Sequence, residues 1–288
     1  MVAAVILCII FLAIILRARY ENRSFEVTHY RAGSGKIPEA FSGTKLLVLA
    51  DLHNNSFGKG NRRLIEEIHR IRPDYVLVAG DMIIGKKAND YSAALSLLTG
   101  LAMRYPVFYG YGNHEQHVMP GNDNYDGGFD AFKASLEALG VCFLENKQIR
   151  ISHKDAALVI TGLLIDKQYF NKIRRPSFST ASIQHLVGIA DRQCYNILIA
   201  HNPVYFSNYT EWGADLTISG HIHGGIIRLP ALGGVISPQY KFFPKYDAGK
   251  FVKNGSIMLV SRGLGLHTIK LRLFNRPELM VVTLERNL

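Results

Sequence analysis

Cysteine is scarce in this chain of 288 residues: Cys8, Cys142 and Cys194 are all it has. No two of them form a CxxC pair, so neither a redox dithiol nor a cysteine-clamped metal module is indicated, and free thiols in a reduced compartment are expected. Blocks of one charge are also missing, with no run of five like charges anywhere. The excess of 33 Lys and Arg over 23 Asp and Glu, +10 in all, is spread along the chain. Such a balance favours anionic partners in general, such as phosphorylated substrates or anionic lipid, without a basic arm of the kind that grips nucleic acid. No internal repeat and no low-complexity tract is visible, which leaves an ordinary folded chain, long enough for one large α/β domain or two small ones.

One stretch lacks charge altogether. Val2 to Leu16 is apolar throughout, and as a helix it would reach roughly 23 Å, short of a ~30 Å hydrocarbon layer unless flanking side chains extend it. Arg17 and Arg19 can snorkel, and Tyr20 suits the headgroup level. A membrane anchor, a cleaved signal peptide and a buried core helix compete. No basic residue opens the segment and no small-x-small cleavage site follows it, which counts against the signal peptide. The expected organisation is an anchor over 1–20, a linker with a first strand over 21–40 and the main folded domain over 41–288. Arg17, Arg19 and Arg23 follow the apolar run, so the positive-inside rule places the domain on the cytoplasmic side.

Beyond the anchor, buried strands are predicted at Lys45–Ala50, Asp74–Ala79 and Pro106–Tyr111, separated by helices over Asn61–Ile71 and Tyr91–Met103. In the first helix Leu64, Ile65, Ile68 and Ile71 recur at helical spacing before Pro73. A further helix runs from Phe129 to Leu139 and stops at Gly140. Strands follow at Val141–Leu144, Gln148–Ile151, Ala157–Leu164, Asn196–Ala200, Asp215–Ser219, Ser256–Ser261 and Leu279–Leu284, with a helix at Ser179–Asp191. Strand–helix alternation in the first half implies parallel strands with right-handed crossovers, and the strand-rich second half implies a second sheet. Ligand sites in such sheets lie beyond the carboxyl ends of the strands.

Five of those ends carry metal-type side chains. Asp51-Leu52-His53 follows KLLVLA. Gly80-Asp81 follows DYVLVA. Gly112-Asn113-His114-Glu115 follows PVFYGY, His201 follows NILIA, and Gly220-His221-Ile222-His223-Gly224 follows DLTIS. Residues two apart on a strand share a face, so Asp51 with His53, and His221 with His223, are expected to aim at common points. Glycines before Asp81, Asn113 and His221 permit tight turns. Mixed oxygen and imidazole donors suit divalent Mn, Fe, Zn or Co, and Asp81 is placed to bridge two ions. Each fragment alone has a commonplace explanation as a cap or turn; all five in this order do not.

The order D-x-H, G-D, G-N-H-E, H, G-H-x-H resembles the calcineurin-like metallophosphoesterase family. The resemblance implies a four-layer α/β/β/α sandwich of two mixed sheets and two divalent metal ions. It implies one ion on Asp51, His53, Asp81 and His223 and the other on Asp81, Asn113, His201 and His221, with His114 as the catalytic histidine. It further implies attack of a metal-activated hydroxide on a phosphate ester or anhydride, with His114 protonating the leaving oxygen or, as a cation, stabilising the phosphoryl charge. Tyr240–Gly249, Ser261–Gly265 and Asn275–Glu278 resemble a membrane-anchored bacterial branch, similar to phosphodiesterases and UDP-2,3-diacylglucosamine pyrophosphohydrolases. His267 departs from that branch where a small polar residue is expected.

A phosphodiester or pyrophosphate in a small or lipid-linked molecule at the membrane is therefore the expected substrate. A phosphomonoesterase, including a protein phosphatase, is the enzymatic alternative, and a non-catalytic metal-binding scaffold the alternative of another class. Nucleic acid is not an expected partner. Glu115 is read either as orienting its neighbours or as a surface or capping residue, and Arg262 as a phosphate clamp or a structural ion pair. Lys241, Lys245, Lys250 and Lys253 form either a basic rim or a solvated face. His69, His117, His153 and His185 lack partners in the pattern and are expected to be ordinary surface or core residues.

Overall fold

A computed structural model describes residues 1–171, 176–229, 232–236, 242–266 and 271–287. The uncharged segment forms one helix, α1 (Val2–Arg23), long and apolar enough to cross a membrane and almost entirely exposed. Its C-terminal end is different: Ala18 and Glu21 are buried against the rest of the chain.

The chain then builds β1 (Glu26–Gly33), β2 (Lys45–Leu49), α2 (Arg62–Ile71), β3 (Tyr75–Ala79), α3 (Ser92–Ala102), β4 (Val107–Gly110), α4 (Asn113–His117), α5 (Gly128–Glu137) and β5 (Cys142–Phe143). Next come β6 (Lys147–His153), β7 (Ala156–Leu163), α6 (Thr180–Val187), β8 (Tyr195–Ala200), α7 (Phe206–Trp212) and β9 (Leu216–Ser219). The hairpin β10 (Ile227–Leu229) and β11 (Gly233–Ile236) precedes β12 (Gly249–Lys253), β13 (Ser256–Val260) and β14 (Glu278–Glu285).

Two six-stranded sheets result, in the orders β1-β14-β2-β3-β4-β5 and β12-β13-β9-β8-β7-β6, with β10-β11 as a separate pair. In the first, β2, β3, β4 and β5 run parallel and β14 is antiparallel to β2. In the second, β7, β8, β9 and β13 run parallel, flanked by antiparallel β6 and β12.

Alternation along the strands produces the layers. Leu46, Val48 and Ala50 point into the apolar space between the sheets, where they meet Ile197, Ile199, Leu216 and Ile218. Leu47 and Leu49 point the other way, onto Leu64 and Ile68 of α2 and Leu97 and Leu101 of α3. On the second sheet Leu198 and Ala200 face Ile183 of α6 and Tyr209 and Trp212 of α7. Both faces of each sheet are thus covered, the condition for strands that read as continuous apolar runs. This is the expected four-layer α/β/β/α sandwich.

Several elements differ from expectation. α6 stops at Val187 rather than Asp191, because Gly188 takes φ +79° and breaks the helix. The short α4 and α7 and the strands β10, β11 and β12 carry no clear period in the sequence. In β12 Lys250 and Lys253 fall on opposite faces of an edge strand and Val252 is exposed, so no two-residue period shows.

Candidate metal centre

The parallel strands of both sheets end at one edge of the sandwich. β2, β3 and β4 deliver Asp51, His53, Asp81, Asn113 and His114 there, and β8 and β9 deliver His201, His221 and His223. The donor atoms form three tight groups: Asp51, His53 and His223; His53, Asp81 and His114; and Asp81, His201 and His221. Within each group the atoms lie within 4.8 Å of one another. Asp81 and His53 each belong to two groups, so the three merge into one centre.

Strand alternation is not what brings these donors together. β2 ends at Leu49 and β9 at Ser219, before any of them. Asp51 (φ +51°), His53 (+46°), Asp81 (+55°), His221 (+74°) and His223 (+57°) all occupy the left-handed region, uncommon for residues with a Cβ. The common aim that spacing alone suggested for His221 and His223 is corrected by this curl, and the two divide as the family resemblance implies: His223 groups with Asp51 and His53, while His221 groups with Asp81 and His201. Gly112 is required for a related reason. A Cβ there would collide with the Asp81 carboxylate.

Hydrogen bonds fix how the imidazoles point. The Nδ1 atoms of His53, His201 and His223 face the main-chain carbonyls of Ile83 (3.3 Å), Ala79 (2.6 Å) and Gly265 (3.1 Å). A carbonyl only accepts, so the Nδ1 atoms donate, and in the neutral rings Nε2 carries the lone pair. Those Nε2 atoms meet in the centre: His53 to His223 at 3.3 Å, His201 to Asp81 Oδ2 at 2.9 Å, and His223 to Asp51 Oδ1 at 3.4 Å. His114 is set the opposite way. Its Nδ1 accepts from the Gly85 N–H at 2.8 Å, so the neutral ring holds its proton on Nε2, 4.0 Å from Asp81 Oδ2. It therefore presents a donor where the other three present lone pairs.

The carboxylates are buried and strongly perturbed. Asp51 is pushed up to about 7 by burial, opposed by the His201 charge and reinforced by Asp81. For His201 burial pulls downward, but Asp81, hydrogen-bonded to it, and Asp51 prevail and raise it to about 10. Burial would raise Asp81, yet the His201 charge, helped by His114 and His53, holds it well below the usual carboxylate range.

The donor set fits divalent cations. Three oriented imidazoles and two buried carboxylates converge, and Asn113 Oδ1 is buried without a hydrogen-bond partner among the described residues. An orphaned amide oxygen beside such donors is a ligand-type atom. Two His/Asp clusters are in this way positioned for a dinuclear metal site.

Some supporting residues carried little or no signal in the sequence. Glu115 is fully buried, which overturns its reading as a surface residue. Its carboxylate accepts the N–H groups of Asp81 (2.8 Å), Met82 (2.8 Å) and Gly112 (2.9 Å) and the Tyr109 hydroxyl (2.8 Å). Burial, then the nearby Asp81 charge, raise it. Arg272 is buried behind Gly263 and Gly265 and donates to both carbonyls; nothing in LRLF announced it. Asn275 donates to the carbonyls of His223 (2.7 Å) and Gly225. Its place in Asn275–Glu278 was the available signal.

The remaining candidates resolve differently. Arg262 is held by Glu26 (2.5 Å) and Glu278 (3.3 Å), the ion-pair alternative. Lys250 bonds to the Arg31 carbonyl and Lys253 to the Ser207 hydroxyl, so neither joins Lys245 in a rim. Lys241, Tyr240 and His267 lie outside the described residues. His69 meets the Tyr105 hydroxyl (3.1 Å) and His153 packs edge-on to Phe41. His117 stands beside His114, with ring centres 5.9 Å apart.

A two-sheet sandwich with a His- and Asp-rich dinuclear centre at the carboxyl edge of its strands is the architecture of a metal-dependent phosphoesterase. The particular family follows from comparison with known proteins. The calcineurin-like phosphoesterase family signature matches residues 44–225, and the chain belongs to that family. It is 28% identical over 272 residues to the uncharacterized metallophosphoesterase YkuE of Bacillus subtilis, covering 93% of this chain and 88% of that one. It is 28% identical over 246 residues to the phosphodiesterase YaeI of Escherichia coli, covering 83% and 82%. Among solved structures, the phosphopantetheinyl hydrolase PptH of Mycobacterium tuberculosis aligns over 76% of this chain and 89% of its own, with TM-score 0.46 and 14% identity.

Proposed function

We propose that this chain is a membrane-tethered hydrolase of phosphodiester or pyrophosphate bonds, acting on a small or lipid-linked substrate. The observation that carries the hydrolase reading is the merged donor centre, with Asp81 common to two of its three groups. In this reading Asp51, His53, Asp81 and His223 hold one cation, and Asp81, Asn113, His201 and His221 the other, with Asp81 as the bridge. Two divalent ions bound there supply Lewis acidity toward a phosphoryl oxygen and an activated water nucleophile.

The chain's own groups do the rest. The Nδ1–carbonyl bonds of His53, His201 and His223 keep their Nε2 atoms aimed inward before any ligand arrives. Glu115 fixes the Gly80–Met82 and Gly112 main chain, and with it Asp81. His114, with its proton on Nε2, donates to the leaving oxygen; such general acid help is worth about 10²–10⁴-fold.

The diester preference is supported by the YaeI likeness and by the tail motifs. The membrane part rests on α1, long and apolar enough to span and exposed along its apolar stretch. Arg17, Arg19 and Arg23 then set the domain on the cytoplasmic side.

The test is metal analysis of the purified protein, followed by hydrolysis assays with phosphodiesters, nucleotide-sugar anhydrides and phosphomonoesters. Turnover of diesters or anhydrides well above monoesters is expected. Monoester preference would establish the phosphomonoesterase instead, and no turnover in fully metallated protein would establish the scaffold.

A further inference from the structure

The last turn of α1 is locked to the domain. Glu21 accepts the N–H groups of Phe274 (3.1 Å) and Asn275 (2.9 Å) and the Arg17 guanidinium (2.5 Å). The Arg63 guanidinium holds the Arg23 carbonyl at 3.1 Å. The helix therefore leaves the domain at a fixed place, with its apolar stretch ending where Arg17 meets Phe274, 5.5 Å from guanidinium carbon to ring centre.

Around that exit several large apolar side chains are exposed together, beside Arg228, Asp247 and Arg262. Phe274 is 52% exposed and lines one cleft with Leu229, Leu232 (64%) and Phe243 (60%). Phe242, 70% exposed, bridges Ile236 at the end of β11. Elsewhere on the domain large exposed apolar side chains, such as Met103, Ile189 and Val252, stand on separate elements, as is ordinary for a soluble surface. Lys245 lines the same cleft and has no carboxylate partner among the described residues, its amine lying 5.1 Å from the Tyr246 ring. Exposed aromatics and leucines with a cation among them, at the foot of a membrane-length helix, match the interfacial layer of a bilayer.

We propose that this face, formed by Leu229, Leu232, Phe242, Phe243 and Phe274, is a second membrane contact. It inserts beside α1 into the headgroup layer, to a depth of roughly 5–10 Å, with Lys245 and Arg17 on anionic lipid phosphates. The inference rests on α1 being an anchor. It adds that the domain does not hang free from its tether but is seated in one orientation. A cavity of about 150 Å³ lined by His53 of the metal centre and Asn22 of α1 lies next to the same helix end. Seating would hold the centre at headgroup level, where a lipid-linked phosphate ester resides.

Tryptophan placement tests both claims separately. Trp212 is the sole native tryptophan and is 1% exposed, a constant background. Leu232→Trp, Phe243→Trp, Phe11→Trp and Ile189→Trp are made in the full chain. Each is reconstituted in phosphatidylcholine–phosphatidylglycerol vesicles with and without brominated acyl chains, and folding is checked by near-ultraviolet circular dichroism. Brominated lipid is expected to quench the tryptophans at 232 and 243 as strongly as that at 11, and to leave that at 189 unchanged. Quenching at 11 without quenching at 232 and 243 overturns the seating and leaves the anchor standing. Absence of quenching at all three overturns the anchor as well. Emission at 232 and 243 that responds to protein density but not to brominated lipid assigns the face to a second copy and also overturns the proposal.

Discussion

The N–H of Asn275 donates to the Glu21 carboxylate at 2.9 Å, while the Asn275 side-chain amide donates to the His223 carbonyl at 2.7 Å. A residue of the N-terminal helix is thus one amino acid removed from a metal-type histidine. Removing the amide leaves the His223 and Gly225 carbonyls without that donor and frees the loop that aims His223. Asn275→Ala should lower metal affinity about 10–100-fold, the usual loss when an outer hydrogen bond to a ligand is removed. Glu21→Gln, which keeps an acceptor oxygen, should lose much less. Isothermal titration with Mn²⁺ or Zn²⁺ on both variants reads the difference.

Glu115 gathers three main-chain N–H groups and a tyrosine hydroxyl in a site closed to water. Truncation strands those donors. Glu115→Ala should cost about 2–4 kcal/mol of folding stability, since hydrogen bonds to a charged group carry about 1.5–3 kcal/mol and unmet buried donors cost more. Glu115→Gln keeps the shape and should cost less. Urea denaturation monitored by circular dichroism measures both.

His114 and Asp81 should separate chemistry from metal holding. The Gly85 N–H keeps the His114 lone pair at Nδ1 occupied, so the ring offers a proton to the centre instead of a ligand atom. His114→Ala is expected to retain both ions and lose about 10²–10⁴-fold in turnover. Asp81→Ala removes the carboxylate common to two donor groups and should lose metal together with activity. Plasma emission analysis of dialysed protein, paired with turnover, decides; a fully metallated, active Asp81→Ala protein contradicts the ligand assignment.

Cation uptake should release protons. Without cations, Asp51 rises to about 7 through burial and His201 to about 10 through its carboxylate neighbours. Near neutral pH, then, His201 carries a proton and Asp51 carries one part of the time. Both must deprotonate to ligate, so affinity should climb as pH rises through these values and fall in acid. Calorimetric titration in buffers of different ionisation enthalpy, at about pH 6 and about pH 9, should show more protons released and weaker binding at the lower pH.

Much of this was legible in the sequence because the buried strands are continuous apolar runs with a polar stop. KLLVLA before Asp51 and DYVLVA before Asp81 mark both a strand and the place where it ends. The donors were legible for the same reason, as charged residues at the mouths of such strands. What the sequence withheld depends on contacts between distant segments. Whether Glu115 is buried is decided by Tyr109 and the Gly80 turn packing over it. The division of His221 and His223 between two groups, which the family resemblance implied and spacing did not, is decided by backbone curl after the strand, which no two-residue period encodes. The edge strand β12 and the hairpin β10–β11 bury too little on either face to leave a pattern.

The left-handed backbone at Asp51, His53, Asp81, His221 and His223 has a thermodynamic corollary. Non-glycine residues in that region cost on the order of 1–3 kcal/mol each when unsupported, and here five crowd one rim of the sandwich. Cation coordination would repay that distortion, so ion binding and the rigidity of this rim should be coupled quantities. Depleted of ions, the protein should loosen first at its loops beyond β2, β3 and β9, while the apolar layers beneath keep their order.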